Sequence, residues 1–245
     1  MVSEVNSLKV IEKVANKIAP GRTPSFIEVH IIKALEIINA EKTVGRKGLS
    51  KSLGLGEGVV RTLLKHLTIE GLIETSRSGI TLSESGKKAF SDLKSRISDR
   101  IEIPKSSLTV RPFDVAVLVR NVAHRVKYGL EQRDVAIKVG ALSATTLVFC
   151  HNKITMPGVS EDIFKNIQPT YEILVTKLRP RENDVIIIGS ADEKRSAEFG
   201  AMAAAFELIK MENCNDEVCD LMKDVRARAK RGPSDRVCDW ANPSC

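Results

Sequence analysis

Between residues 49 and 67 the apolar side chains Leu49, Leu53, Leu55, Val59, Val60, Leu63, Leu64 and Leu67 recur at spacings that two short crossed helices share. Gly54-Leu55-Gly56-Glu57 supplies the tight turn between them. Such a pair must bury its common face, so this part of the chain is expected in a packed helical domain. Helical spacing also marks Leu8, Ile11, Val14, Ala15 and Ile18 ahead of Pro20-Gly21. It marks Ile27, Ile31, Ala34, Leu35 and Ile38 as well, with Ser25 as the expected N-cap. After the helix pair, Leu72 to Thr75 and Ile80 to Leu82 are β-rich runs separated by Ser76-Arg77-Ser78-Gly79, a hairpin loop. A charged helix is expected from about 84 to 100.

The second helix of the pair, from Glu57 to about Glu70, is expected to turn Glu57, Gly58, Arg61, Thr62, Lys65 and His66 outward. A guanidinium bonds guanine O6 and N7 together, which makes Arg61 the best base-reading candidate, while Glu57 can accept from cytosine. Lys47, Lys51, Ser52 and Lys65 suit phosphates, and His66 a phosphate or solvent. Arg77 at the hairpin tip places a cation beside the neighbouring backbone or minor groove. The charge balance agrees. The chain has 38 Lys plus Arg against 31 Asp plus Glu, a net +7. Residues 1–105 hold 18 basic and 12 acidic side chains, and the remainder 20 and 19. A positive field confined to one segment implies a polyanion partner for it. Only 4% of the residues are aromatic, too few for a single-strand or RNA reader that stacks bases, so duplex DNA is the expected partner.

Leu49-Ser50-Lys51-Ser52-Leu53-Gly54, Gly56-Glu57-Gly58-Val59-Val60-Arg61-Thr62-Leu63-Leu64, Gly71-Leu72-Ile73, Gly79, Leu82 and Ser85-Gly86 together resemble the winged-helix domain of prokaryotic transcriptional regulators. The similarity is greatest to the N-terminal domain of the central glycolytic gene regulator group and covers about residues 25–100. The whole chain further resembles an archaeal family in which such a domain precedes a poorly characterised α/β domain. The resemblance implies DNA binding as a dimer and regulation of transcription. It supplies neither operator nor ligand.

Beyond residue 107 the β-like runs Phe113 to Val119, Ala144 to Cys150 and Asp184 to Ile188 alternate with helical stretches at about 122–139, 160–178 and 193–211, which predicts a largely parallel sheet. The expected fold class is α/β with an α+β N-terminal part. A winged helix-turn-helix domain occupies 1–100, a linker 101–107 around Pro104, an α/β domain with a mostly parallel sheet 108–212, and a Cys-containing tail 213–245. Two segments are candidate effector sites for a phosphorylated or carboxylated metabolite. Arg133, Ser143, Thr145 and Thr146 flank a small-residue loop, and Gly189, Ser190, Asp192 and Arg195 follow a buried strand. Plain alternatives stand beside these: Gly140 as a helix C-cap, Ser190 or Asp192 as an N-cap, and Gly200 with Ala201 and Ala203 to Ala205 as close helix packing.

No G-x-S-x-G, H-E-x-x-H or phosphate-loop pattern is present, so no enzyme and no cofactor are expected. Cys150 and His151 are adjacent without a nameable orienting partner, and a structural cysteine is the preferred reading. Cys214, Cys219, Cys238 and Cys245 have the wrong inner spacing for a structural zinc, so no metal is expected. The apolar runs are too short to span a membrane and the start lacks a signal pattern, which makes cytosolic residence the expectation. Phe90, Leu93 and Ile97 can pair across a homodimer or pack on their own domain. Two rival functions remain at this level: a metabolic enzyme built on the α/β domain, and a protein-binding winged-helix adaptor.

Overall fold

A computed structural model describes residues 4–16, 24–41, 44–76, 79–108, 111–159 and 162–210. Helices α1 (Glu4–Ala15), α2 (Glu28–Glu41), α3 (Arg46–Leu53) and α4 (Glu57–Ile69) come first, followed by the antiparallel hairpin β1 (Ile73–Ser76) and β2 (Gly79–Leu82), and then by α5 (Glu84–Arg96). The periodic residues meet as expected. Ile11, Val14, Ile31, Leu35, Ile38, Leu49, Leu53, Val60, Leu63 and Leu67 are all buried, each contributing about 1.5–3 kcal/mol by leaving water. Gly54 ends α3 with φ 69° and donates its N–H to the Ser50 carbonyl, and the Ser50 hydroxyl donates to the Leu55 carbonyl at 2.6 Å. That αL residue is the turn the sequence called for. Ser83 caps α5 by accepting the Gly86 N–H, and a Cβ on Gly86 would overlap the Leu72 carbonyl.

Two local expectations are corrected. The second helix starts at Glu28, not after Ser25; its entry is closed by His30, whose Nδ1 accepts the Ile27 N–H at 3.2 Å. His66 faces inward. It is 6% exposed, its Nδ1 lies 2.9 Å from the Val14 carbonyl, and its ring stands edge-on to Phe26. Position 66 falls on the α4 face beside Leu63 and Leu67, which α1 covers.

The second half is a five-stranded sheet in the order β3 (Ile101–Glu102), β4 (Phe113–Val119), β7 (Val185–Ala191), β5 (Ser143–Cys150), β6 (Lys153–Thr155). Every neighbouring pair is antiparallel, which overturns the mostly parallel sheet. Strands β4 and β5, joined through α6 (Leu130–Lys138), do run the same way, but β7 inserts between them in the opposite sense. The apolar run Val185 to Ile188 reflects cover on both sheet faces, and cover on both faces does not fix strand direction. One face carries Val117, Val119, Val148 and Ile187 against α6 and α8 (Lys194–Lys210). The other carries Ala116, Leu118, Leu147, Phe149, Ile186 and Ile188 against Phe164 and α7 (Gln168–Ile173), whose π-helical continuation runs to Leu178.

The helical stretches at 122–139 and 160–178 are shorter than their periodicity implied. Gly129 at φ 77° starts α6 afresh after a 3-10 turn at Ala123–Arg125, and α7 begins only at Gln168. Residues 101 and 102, expected in a linker, form the edge strand β3, and Ser98 and Ile103 donate their N–H groups to Leu118 and Asp114 of β4. Ile101 and Ile103 alternate with a charged residue, a strand pattern that Pro104 then ends. The two halves share one apolar core. Helix α8 meets α2 through His30 and Phe199, whose ring centroids are 5.0 Å apart, through Lys33–Glu198 at 3.2 Å, and through Lys210 with Glu28 at 3.7 Å, and it reaches α1 through Lys210 with Glu12 at 3.1 Å. Phe90, Leu93 and Ile97 join that core within their own chain.

Candidate nucleic-acid interface

Helix α4 buries Val60, Leu63, Leu64, His66 and Leu67, so its 3.6-residue period turns Glu57, Gly58, Arg61, Thr62 and Lys65 to solvent. Lys47, Lys51 and Ser52 are exposed on α3. The sequence-predicted face is thus assembled from two helices and the turn joining them. Lys47, Lys51, Arg61 and Lys65 form no ion pair among the described residues. Cations left unpaired on one face keep their field for a partner. The Thr62 hydroxyl donates back to the Gly58 carbonyl at 3.2 Å, leaving its oxygen as an acceptor. Arg77, the expected hairpin tip, lies outside the described residues; the β1–β2 register, Ile73 opposite Leu82 and Ser76 opposite Gly79, places the loop beyond Ser76. The hairpin is fixed to the helix pair because Ile80 donates its N–H to Val44, just ahead of α3.

Residues 30–97 match the CggR N-terminal DNA binding domain. Residues 110–208 match a second family, a domain of unknown function, DUF4443. The central glycolytic genes regulator of Bacillus subtilis (strain 168) is 34% identical over 65 residues, which are 26% of this chain and 19% of that protein. This chain therefore matches less than a fifth of that relative's length. A solved structure, hypothetical protein PH0730 from Pyrococcus horikoshii OT3, is 27% identical with a TM-score of 0.59 over 79% of this chain and 98% of its own. These likenesses divide the chain into an N-terminal segment similar to a DNA-binding domain and a C-terminal segment similar to a separate family. No helix among the described residues is long and apolar enough to cross a membrane.

The DNA-binding domain has a neighbour that its own sequence does not disclose. A Cβ on Gly54, in the α3–α4 turn, would overlap the guanidinium of Arg195 from α8. Arg195 was expected to meet a metabolite; the fold sets this exposed cation beside the helix pair, at the negative end of the α3 dipole. No local pattern reveals this, because 141 positions separate the two residues.

The remaining predicted ligand residues do not form one cleft. Gly189 packs against α8, where a Cβ would overlap the Ala197 carbonyl and stand 2.7 Å from the Ala201 nitrogen. Thr146 is buried on the same face against Gly129, and its hydroxyl has no partner among the described residues. Arg133 pairs with its neighbour Asp134 at 3.1 Å, and Asp192 stands 3.8 Å from Arg111, both at the surface. Ser143, Thr145 and Ser190 do share the opposite face at one end of the sheet. There the register aligns Asp114, Ser190 and Ser143 across β4, β7 and β5, and the Ser190 hydroxyl donates to Asp114 Oδ1 at 2.5 Å. The Thr145 hydroxyl donates to the Leu108 carbonyl at 3.1 Å. Asp114 is 3% exposed and its Oδ2 has no partner among the described residues. The sequence reading missed Asp114 because one acid inside an apolar strand carries no spacing signal.

Proposed function

We propose that this chain is a transcription regulator whose N-terminal half is a winged helix that reads duplex DNA with α4. The observation that carries this is the solvent face of α4 beside α3, where Lys47, Lys51, Arg61 and Lys65 stand exposed and unpaired next to a short β-hairpin. The match of the same residues to a DNA-binding domain supports it. Arg61 enters the major groove toward guanine, with Glu57, Gly58 and Thr62 bordering it, while Lys47, Lys51, Ser52 and Lys65 hold phosphates. Arg77 supplies a further cation to the DNA backbone or minor groove in this reading. Arg195 adds a cation from the C-terminal half beside the turn, so a rearrangement of α8 bears directly on the DNA-binding surface.

The C-terminal half provides dimerisation and effector binding in this reading. Phe90, Leu93 and Ile97 are taken up in their own core, so the dimer surface is better placed at the exposed apolar residues Tyr128, Leu130, Ile137 and Leu142 around α6. The effector role rests on Asp114 with Ser190 and Ser143. A buried carboxylate disfavours the phosphorylated or carboxylated ligand expected from sequence and favours one that brings N–H or O–H donors.

The test is binding of genomic duplex fragments by the full chain across a salt series, followed by sequencing of the bound fraction. Affinity should fall steeply with salt and the bound fragments should share a two-fold motif. Absence of duplex binding at low salt would overturn the reading in favour of a protein-binding adaptor.

A further inference from the structure

Strand β5 ends at Cys150, and the hairpin to β6 turns through His151 and Asn152, both with left-handed φ values of 53° and 60°. Along a strand successive side chains point to opposite faces. Because His151 leaves the pleat in the left-handed region, its ring returns to the side of the preceding thiol, and Cys150 Sγ lies 3.0 Å from His151 Nδ1. A carboxylate from a distant part of the sequence completes the group. Both oxygens of Glu182 accept the His151 N–H at 3.0 Å, and one ligand atom each from Cys150, His151 and Glu182 lies within 4.8 Å of the others.

We propose that Cys150, His151 and Glu182 bind a divalent transition-metal ion of the zinc class. A thiolate, an imidazole nitrogen and a carboxylate are the donors such an ion takes, at about 2.3 Å to sulfur and about 2.0–2.2 Å to nitrogen and oxygen. Ligand atoms on one tetrahedral ion then stand about 3–4 Å apart, so the group closes on an ion with side-chain adjustment alone. The carboxylate is held ready. The loop carrying Glu182 is clamped to β5 by Phe149 N–H to Asp184 O at 2.9 Å and Asn183 N–H to Phe149 O at 3.0 Å. Asp184 in turn accepts from Arg120 at 2.7 Å and from the Asn121 N–H at 2.9 Å.

Three protein ligands leave the fourth position to water, the arrangement of an open rather than a closed zinc site. His151 and Glu182 are exposed, so the ion reaches the group from solvent, while the buried Cys150 forms its floor. Binding replaces the thiol proton, which passes to the buffer. The sequence-level objection that Cys150 and His151 lack a third partner is answered by Glu182, 31 positions beyond His151.

The experiment is a titration of the full chain with Co²⁺ in which Cys214, Cys219, Cys238 and Cys245 are all replaced by serine, so that any thiolate signal comes from Cys150. The expected result is one Co²⁺ per chain with a thiolate-to-cobalt charge-transfer band that Zn²⁺ abolishes. Cys150→Ser should remove the band. His151→Ala and Glu182→Gln, at exposed positions that leave the fold intact by circular dichroism, should each weaken binding by about tenfold or more. Absence of the band in the tail-substituted protein, or a band indifferent to His151→Ala and Glu182→Gln, would overturn the proposal. Neither result depends on DNA binding.

Discussion

The guanidinium of Arg195 covers Gly54, so a residue of the C-terminal helix α8 closes the space above the turn between the two helices of the DNA-binding domain. Gly54 is needed there for its φ of 69°, while a Cβ would also require the exposed Arg195 side chain to swing aside. Gly54→Ala should destabilise the chain by about 1–2 kcal/mol. Arg195→Ala, at an exposed position, should change stability by less than about 0.5 kcal/mol. In the Arg195→Ala background the cost of Gly54→Ala should shrink to its backbone part. Denaturant unfolding of the four proteins measures this, and an equal cost in both backgrounds would show that the guanidinium does not constrain residue 54.

Arg61→Ala should cost about 1–3 kcal/mol of affinity for a selected DNA site and relax the preference at one base pair, while Lys51→Ala should weaken every duplex alike and lower the salt slope by about one. Arg195→Ala should behave as Lys51→Ala does, because its cation stands beside the turn and not on the outward face of α4. Salt-dependent affinities on selected and scrambled duplexes separate the two behaviours. Intact affinity and specificity in Arg61→Ala would remove α4 from the groove.

Gly189→Ala should destabilise by about 1–3 kcal/mol, since the added methyl meets α8 backbone that cannot rotate away. Gly58→Ala is the contrast. It lies on exposed α4 with open space around it, so folding should gain up to about 1 kcal/mol from helix propensity. Thermal unfolding of both variants tests the assignment of Gly189 to packing rather than to ligand approach; a neutral Gly189→Ala would contradict it.

His30 lies between the N-terminal helices and α8, where burial lowers its pKa below 6.5 against an opposing contribution from the Ile27 backbone. The unfolded chain therefore takes up its proton at a higher pH than the folded chain does. Stability from His30 is fully present above pH 6.5 and is lost as pH falls from there through the lower folded value. Unfolding midpoints at pH 7.5 and at pH 5 should differ less in His30→Gln than in the parent. An identical difference in both proteins would assign the pH dependence elsewhere.

The DNA-binding half was legible in the residues because its signals are local. Leu49, Leu53, Val60 and Leu63 recur at helical spacing, Gly54 marks the turn, and the exposed set Lys51, Glu57, Arg61 and Lys65 follows from period alone. His66 was misjudged because its surroundings come from Val14 and Phe26, which are remote in sequence. In the C-terminal half the short edge strands β3 and β6 were not readable, but the three long strands β4, β5 and β7 were. Their order was not, because a strand buried on both faces is apolar whichever way its neighbours run.

The sequence by itself determined the N-terminal helices and hairpin, the three long strands, where the positive charge lies and most of the side chains α4 turns outward, since all of these depend on spacing along the chain. Only the tertiary structure decided that β7 lies antiparallel between β4 and β5. Chain reversal and insertion likewise brought Arg195 to Gly54, Asp114 to Ser190, and Glu182 to Cys150 and His151. Those pairs are joined across 31 to 141 positions by packing and backbone hydrogen bonds, which no short-range pattern encodes.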